Sequence, residues 1–206
     1  MDALLIVDVQ NDFVSGALAI DQAEQIIEPI NRLIPRFELV IATRDWHPKE
    51  HVSFAGNHEG KQVGDVVEVR GLQQDLWPDH CVQGTWGAQL VDDLDAGKID
   101  AVIDKGTDPE LDSYSALYDN GHVRQTDLPG LLRDRGVDRI HVAGLATDFC
   151  VKFTVLDAIR KLGLDVVLIA DACRPVDLQE GDGQAAIREM SEAGAKITTA
   201  EALCDG

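Results

Sequence analysis

The chain has 206 residues, 45% of them hydrophobic, enough for one sizeable core and a single α/β domain rather than two small ones. Its formal net charge of −19 at pH 7 opposes binding to nucleic-acid phosphates or to an anionic membrane, while a neutral small molecule would feel little of it. No apolar run approaches the roughly 18 residues of a membrane span. The start, M-D-A-L-L-I-V-D, has no basic segment and no small-residue cleavage site, so a cytoplasmic protein, as a monomer or a homo-oligomer, is expected. The acidic residues are spread along the chain, which reads as a solvated surface, with a saline environment as the alternative. Cys81, Cys150, Cys173 and Cys204 form no C-x-x-C pair and read as reduced thiols.

Residues 3–7 predict a buried strand. A helix is expected over 22–36, opened by a capping box at Asp21 and Glu24. Residues 39–43 and 101–104 read as the next strands, and a helix ends near Gly136. Strand 140–145 then leads into a helix over 148–162, stopped by Gly163. Strand 166–170 follows, then a helix opened by a second capping box at Asp177 and Glu180 and running to Ala193. A short strand at 196–199 closes the pattern. Apolar β-branched strands alternating with helices argue for a parallel sheet covered on both faces. The interval 44–97 breaks this rhythm and holds all three Trp and four of the six His. An irregular segment of that length is more often functional than idle.

Ligands in open α/β sheets bind beyond the carboxyl ends of the strands. Asp8 follows the first strand, Asp45-Trp46-His47 the second, Lys105 the third and Cys150 the fourth. With Thr147 or Asp148 as N-cap, Cys150 would sit in a first helical turn, where unpaired N–H groups and the dipole favour the thiolate. The competing reading is a small apolar residue packing the strand–helix joint. Cys81 is a rival nucleophile without a helix start. Asp8 is either a turn cap or a proton acceptor for the thiol, and Lys105 either a solvated lysine or the charge partner of both. Asp45 and His47 share a face of an extended segment, and His80 and His51 offer further ligands. One carboxylate and two imidazoles suit zinc, iron or manganese, although a polar loop would use the same residues. Phe13, Trp77, Tyr114 and Phe149 fall near the same rim and would either fill core or line a slot for a flat ring. Asp171 reads as a capping residue. The first strand is followed by V-Q-N-D-F-V-S-G, not a glycine-rich phosphate loop, which argues against a dinucleotide-binding module.

Taken together, A-L-L-I-V-D-V-Q-N-D-F, T-R-D-W-H-P-K-E-H-V-S-F, L-W-P-D-H-C-V-Q-G-T, D-K-G and V-A-G-L-A-T-D-F-C-V-K-F-T-V-L-D-A resemble the isochorismatase-like cysteine hydrolases, and within them the nicotinamidase/pyrazinamidase group. The resemblance covers nearly the whole chain. It implies a three-layer fold with a six-stranded parallel sheet in Rossmann-like order and a catalytic triad of Asp8, Lys105 and Cys150. It further implies one divalent metal, zinc first, held by Asp45, His47 and His80, with His51 a ligand in only some members. An oxyanion hole from the N–H groups of Ala146 and Cys150, a cis peptide before Thr147, and a ring sandwich of Phe13, Trp77 and Tyr114 are also implied, with Phe149 at a variable place. The implied reaction is hydrolysis of nicotinamide to nicotinate and ammonia in NAD salvage, with pyrazinamide as a look-alike substrate. A metal-free relative acting on ureido or carbamoyl compounds is the alternative.

Overall fold

The computed structural model describes residues 1–205. Its centre is a six-stranded, all-parallel sheet built from β1 (Asp2–Val7), β2 (Val40–Asp45), β5 (Ala101–Lys105), β6 (Arg139–Leu145), β7 (Asp165–Arg174) and β8 (Lys196–Thr198), in the order β5-β2-β1-β6-β7-β8. The central strands were legible because their apolar runs are buried on both sides, whereas the edge strands β5 and β8 leave Val102 and Ile197 exposed. Along β1, Ala3, Leu5 and Val7 enter one core while Leu4 and Ile6 enter the other. A fully buried Leu or Ile side chain contributes about 1.5–3 kcal/mol, so this two-sided burial fixes the register.

Helices α3 (Leu128–Asp134), α4 (Lys152–Leu162) and α5 (Asp182–Glu192) cover the first face. Helices α2 (Ile27–Leu33) and α6 (Ala200–Asp205) cover the second. Short α1 (Asn11–Val14) follows β1, and the irregular interval contains an antiparallel hairpin, β3 (Val66–Val69) with β4 (Leu72–Asp75), that its sequence did not announce. Among the described residues, no helix is long and apolar enough to cross a membrane.

Several local expectations are corrected. The 22–36 helix is a 3-10 turn at Ala23–Ile26, then α2, then a second 3-10 turn, and Gln22 at its start is left-handed with no side-chain cap. Neither capping box forms. Asp177 spends its carboxylate on the Gly183 N–H at 2.7 Å, and α5 starts only at Asp182. Asp148 does not cap the turn beside it but accepts the Val176 and Asp177 N–H groups, both at 2.9 Å, because that loop folds over it. The last strand ends one residue early, at Thr198. Asp171 does cap a helix, accepting the Ala200 N–H at 2.8 Å.

Two glycines let the elements meet. Gly144, at φ +123°, lies so close to β1 that a Cβ would stand 2.0 Å from the Val7 carbonyl oxygen. At Gly106, φ +61°, a Cβ would stand 2.4 Å from the His47 ring.

Candidate active site

Four adjacent strands, β5, β2, β1 and β6, end at one rim, where β1 parts the chain's two directions of winding. Lys105, the last residue of β5, is 1% exposed. Its Nζ lies 2.5 Å from Asp45 Oδ1, 3.0 Å from Asp8 Oδ2, 3.0 Å from the Ser113 carbonyl oxygen and 3.3 Å from Cys150 Sγ. The expected acid, amine and thiol are therefore in mutual reach, and the ammonium also holds Asp45. Asp8 leaves the strand at φ 52°, a conformation that is uncommon outside glycine and that turns its carboxylate inward. Thr43 Oγ1 donates to Asp8 Oδ1 at 2.7 Å.

Burial pushes the Asp8 carboxyl up to about 6, against the pull of Lys105, while the charge of Asp45 adds to the rise. For Asp45, burial acts in the same upward sense, but Lys105 and His47 outweigh it and hold the carboxyl well below the usual range. Burial disfavours the Lys105 ammonium, but Asp45, Asp8 and Cys150 outweigh it and hold the proton on.

Cys150 departs from expectation. It lies in a π-helical turn, Thr147–Val151, that precedes α4, and its N-cap, Ala146, makes no side-chain cap bond. Burial drives its thiol well above the ordinary range, and Lys105 only partly opposes this. The resting group is thus a thiol beside a proton acceptor, not a thiolate made by a helix end. The cis peptide joins Leu145 to Ala146, one residue earlier than expected, because β6 runs to Leu145 and the extended Ala146 already begins the turn; Thr147 follows it by a trans bond. Cys81, the rival nucleophile, is buried, and burial raises its thiol far out of reach of deprotonation. Its N–H instead anchors Asp12 at 2.7 Å.

Beside the triad, Asp45, His47 and His80 each offer a ligand atom within 4.8 Å of the others. Nδ1 of His47 meets the Gly106 carbonyl at 2.8 Å, and Nδ1 of His80 meets the Pro78 carbonyl at 2.8 Å. A carbonyl only accepts, so each Nδ1 carries the proton and each Nε2 presents a lone pair. Burial and then the neighbouring His47 lower His80 to about 4, so it is neutral at pH 7. The donor set fits a divalent cation. A further set, Asp8, Asp45 and Cys150, encloses the Lys105 ammonium, which excludes an ion there.

The cleft over Cys150 encloses about 410 Å³, its open mouth included, and Phe13, Trp77, Tyr114 and Phe149 line it. Trp77 Nε1 donates to Tyr114 Oη at 3.2 Å, and Phe149 meets the Trp77 ring edge-on at 5.1 Å. Phe13 packs on His80 at 5.5 Å. Leu18, Ile20, Val176 and Asp112 also line the cleft, and sequence reasoning missed them. Gln10 was missed too, although it ties β1 to β2 by donating to the Asp45 carbonyl and accepting the Asp45 N–H, both at 2.8 Å. Its position two residues after Asp8 was the available signal.

Residues 2–202 match the isochorismatase domain. The chain belongs to the isochorismatase family. Within the family, it is 50% identical over 202 residues to the nicotinamidase of Escherichia coli (strain K12), covering 96% of this chain and 94% of that one. The nicotinamidase/pyrazinamidase structure from Acinetobacter baumannii superposes with a TM-score of 0.94 at 43% identity, covering 98% and 97% of the two chains. A Pyrococcus horikoshii pyrazinamidase solved in complex with zinc gives a TM-score of 0.77 at 37% identity, with 96% and 98% covered.

Proposed function

We propose that this chain is a metal-dependent nicotinamidase that hydrolyses nicotinamide to nicotinate and ammonia and accepts pyrazinamide by similarity of shape. The observation that carries the reading is the contact of Lys105 with Asp8, Asp45 and Cys150 beside the His47–His80 pair, in a chain half identical to a nicotinamidase. A single domain holding the site, a cytoplasmic location and a role in NAD salvage belong to the same proposal.

Asp8, with a carboxyl near 6, is ionised at neutral pH and takes the Cys150 proton as the sulfur attacks the carboxamide carbon. Lys105 holds the carboxylate and the sulfur in register and steadies the developing thiolate. The N–H groups of Ala146 and Cys150, two residues that line the cleft, meet the oxyanion of the tetrahedral adduct. The adduct collapses by breaking the C–N bond while Asp8 gives its proton to the nitrogen, so ammonia leaves and a thioester remains. Asp8 then accepts a proton from the water that attacks the thioester, and returns it to the sulfur as nicotinate departs. Phe13, Trp77 and Tyr114 orient the pyridine ring over the sulfur. Asp45, His47 and His80 would hold the divalent ion, zinc first, which would supply a Lewis acid for the ring nitrogen.

The test is ammonia release from nicotinamide by the purified protein, with metal content measured in parallel. Release that depends on a bound ion is expected. A metal-replete protein inert toward nicotinamide overturns the substrate assignment.

A further inference from the structure

Three buried groups of the cleft region take no part in that reaction: His51, Gln74 and Asp112. Nδ1 of His51 receives the Ser53 backbone N–H at 3.3 Å and lies 2.7 Å from Ser53 Oγ. An N–H only donates, so Nδ1 bears the lone pair and the neutral ring carries its proton on Nε2. Nε2 has no hydrogen-bond partner among the described residues, and it faces Asp112 Oδ1 across 3.9 Å. A protonated nitrogen does not ligate a cation. In this tautomer His51 presents a donor toward Asp112 rather than a lone pair toward the ion.

Asp112 is 3% exposed and lines the cleft. Ser113 N–H donates to its Oδ1 at 2.7 Å, and Gln74 Nε2 donates to its Oδ2 at 2.9 Å. Both donors are neutral. Lys105, the one ammonium of the site, is engaged by Asp8 and Asp45, and no hydrogen bond or ion pair among the described residues joins Asp112 to a lysine or arginine. A buried carboxylate costs free energy unless a cation compensates it. A carboxylate oxygen of Asp112 and ring nitrogens of His51 and His47 lie within 4.8 Å of one another, yet Asp112 and His51 do not merge with the Asp45–His47–His80 set. Asp112 therefore adjoins that set through His47 without belonging to it.

We propose that Asp112 is a positioning residue of the cation site: without ligating the ion, its negative charge, held by Gln74 and faced by His51, strengthens the grip of Asp45, His47 and His80 on a divalent cation. This rests on the metal reading above and deepens it. Groups just outside a metal's ligands that orient or charge-balance them typically change affinity about 10–100-fold when altered.

The experiment measures zinc affinity of metal-stripped protein by competition with a chromogenic chelator, with circular dichroism of each metal-free form as the check on folding. Asp112→Asn keeps the size and the acceptor for Ser113 N–H but removes the charge, and the zinc Kd is expected to rise about 10–100-fold. Gln74→Leu loosens the same network while the charge stays, and its Kd is expected to rise by less than that of Asp112→Asn. Should Asp112→Asn not fold, Asp112→Ser carries the same expectation. An unchanged Kd on removing the charge, or equal weakening by Gln74→Leu, overturns the role of Asp112 while leaving the metal site standing. An unmodified protein that binds no zinc overturns the metal reading itself.

Discussion

Lys105→Met removes the cation around which the site is assembled. The ammonium lies 3.0 Å from Asp8 and 2.5 Å from Asp45, and neither carboxylate is exposed enough for water to replace it. Methionine matches the apolar stem but leaves two buried carboxyl groups facing each other uncompensated. Removing one partner of a buried ion pair costs about 3–5 kcal/mol. Urea unfolding of metal-free protein near pH 8 should therefore show a loss of about 3–5 kcal/mol with an unchanged m-value. The sign of the pH dependence follows from linkage. Without the ammonium, Asp8, already raised by burial, rises further and Asp45 loses the largest pull holding it down, so the variant's native state binds more protons than the unmodified one and recovers stability relative to it as pH falls. The deficit should shrink on going to about pH 5. A loss below about 1 kcal/mol, or one that is equal at both pH values, refutes the view that Lys105 compensates the two carboxylates.

Cys150→Ala and Asp8→Asn should each lower ammonia release by about 10³-fold or more with the fold retained, because each removes a group that acts in every turnover; steady-state rates with circular dichroism check this. Since Asp8 must be ionised to accept the thiol proton and its carboxyl is raised to about 6, kcat/KM should fall as pH drops through that value. A profile flat down to about pH 4 would contradict the assignment of Asp8 as the base. Gly106→Ala places a Cβ 2.4 Å from the His47 ring at a backbone φ of +61°. It should cost about 1–3 kcal/mol in thermal unfolding and weaken zinc binding, whereas Gly163→Ala, with open space around its Cβ, should cost stability alone.

What was legible in the sequence was the part fixed by strand ends. Asp8, Asp45 and Lys105 each close or follow a strand of one parallel sheet, so their arrival at one rim follows from parallel pairing, and their three strands prove adjacent. The state of Cys150 was not legible. Its π-helical turn follows the close passage of Gly144 over Val7, a contact between residues far apart in the chain, and burial rather than helix polarity governs its thiol. Both capping boxes failed to local geometry: Gln22 turns left-handed and donates to Asp21, and α5 starts five residues after Asp177, which accepts the Gly183 N–H of its first turn. Asp112 gave no signal because it sits in a loop, and the β4 residue Gln74 that holds it belongs to the hairpin hidden in the irregular interval.

The most direct measurement is the mass of the intact protein, acid-quenched while turning over nicotinamide and then digested. The account predicts an added nicotinoyl group on the peptide containing Cys150, absent from Cys150→Ala, which also releases no ammonia. Ammonia release at an undiminished rate by Cys150→Ala would contradict it.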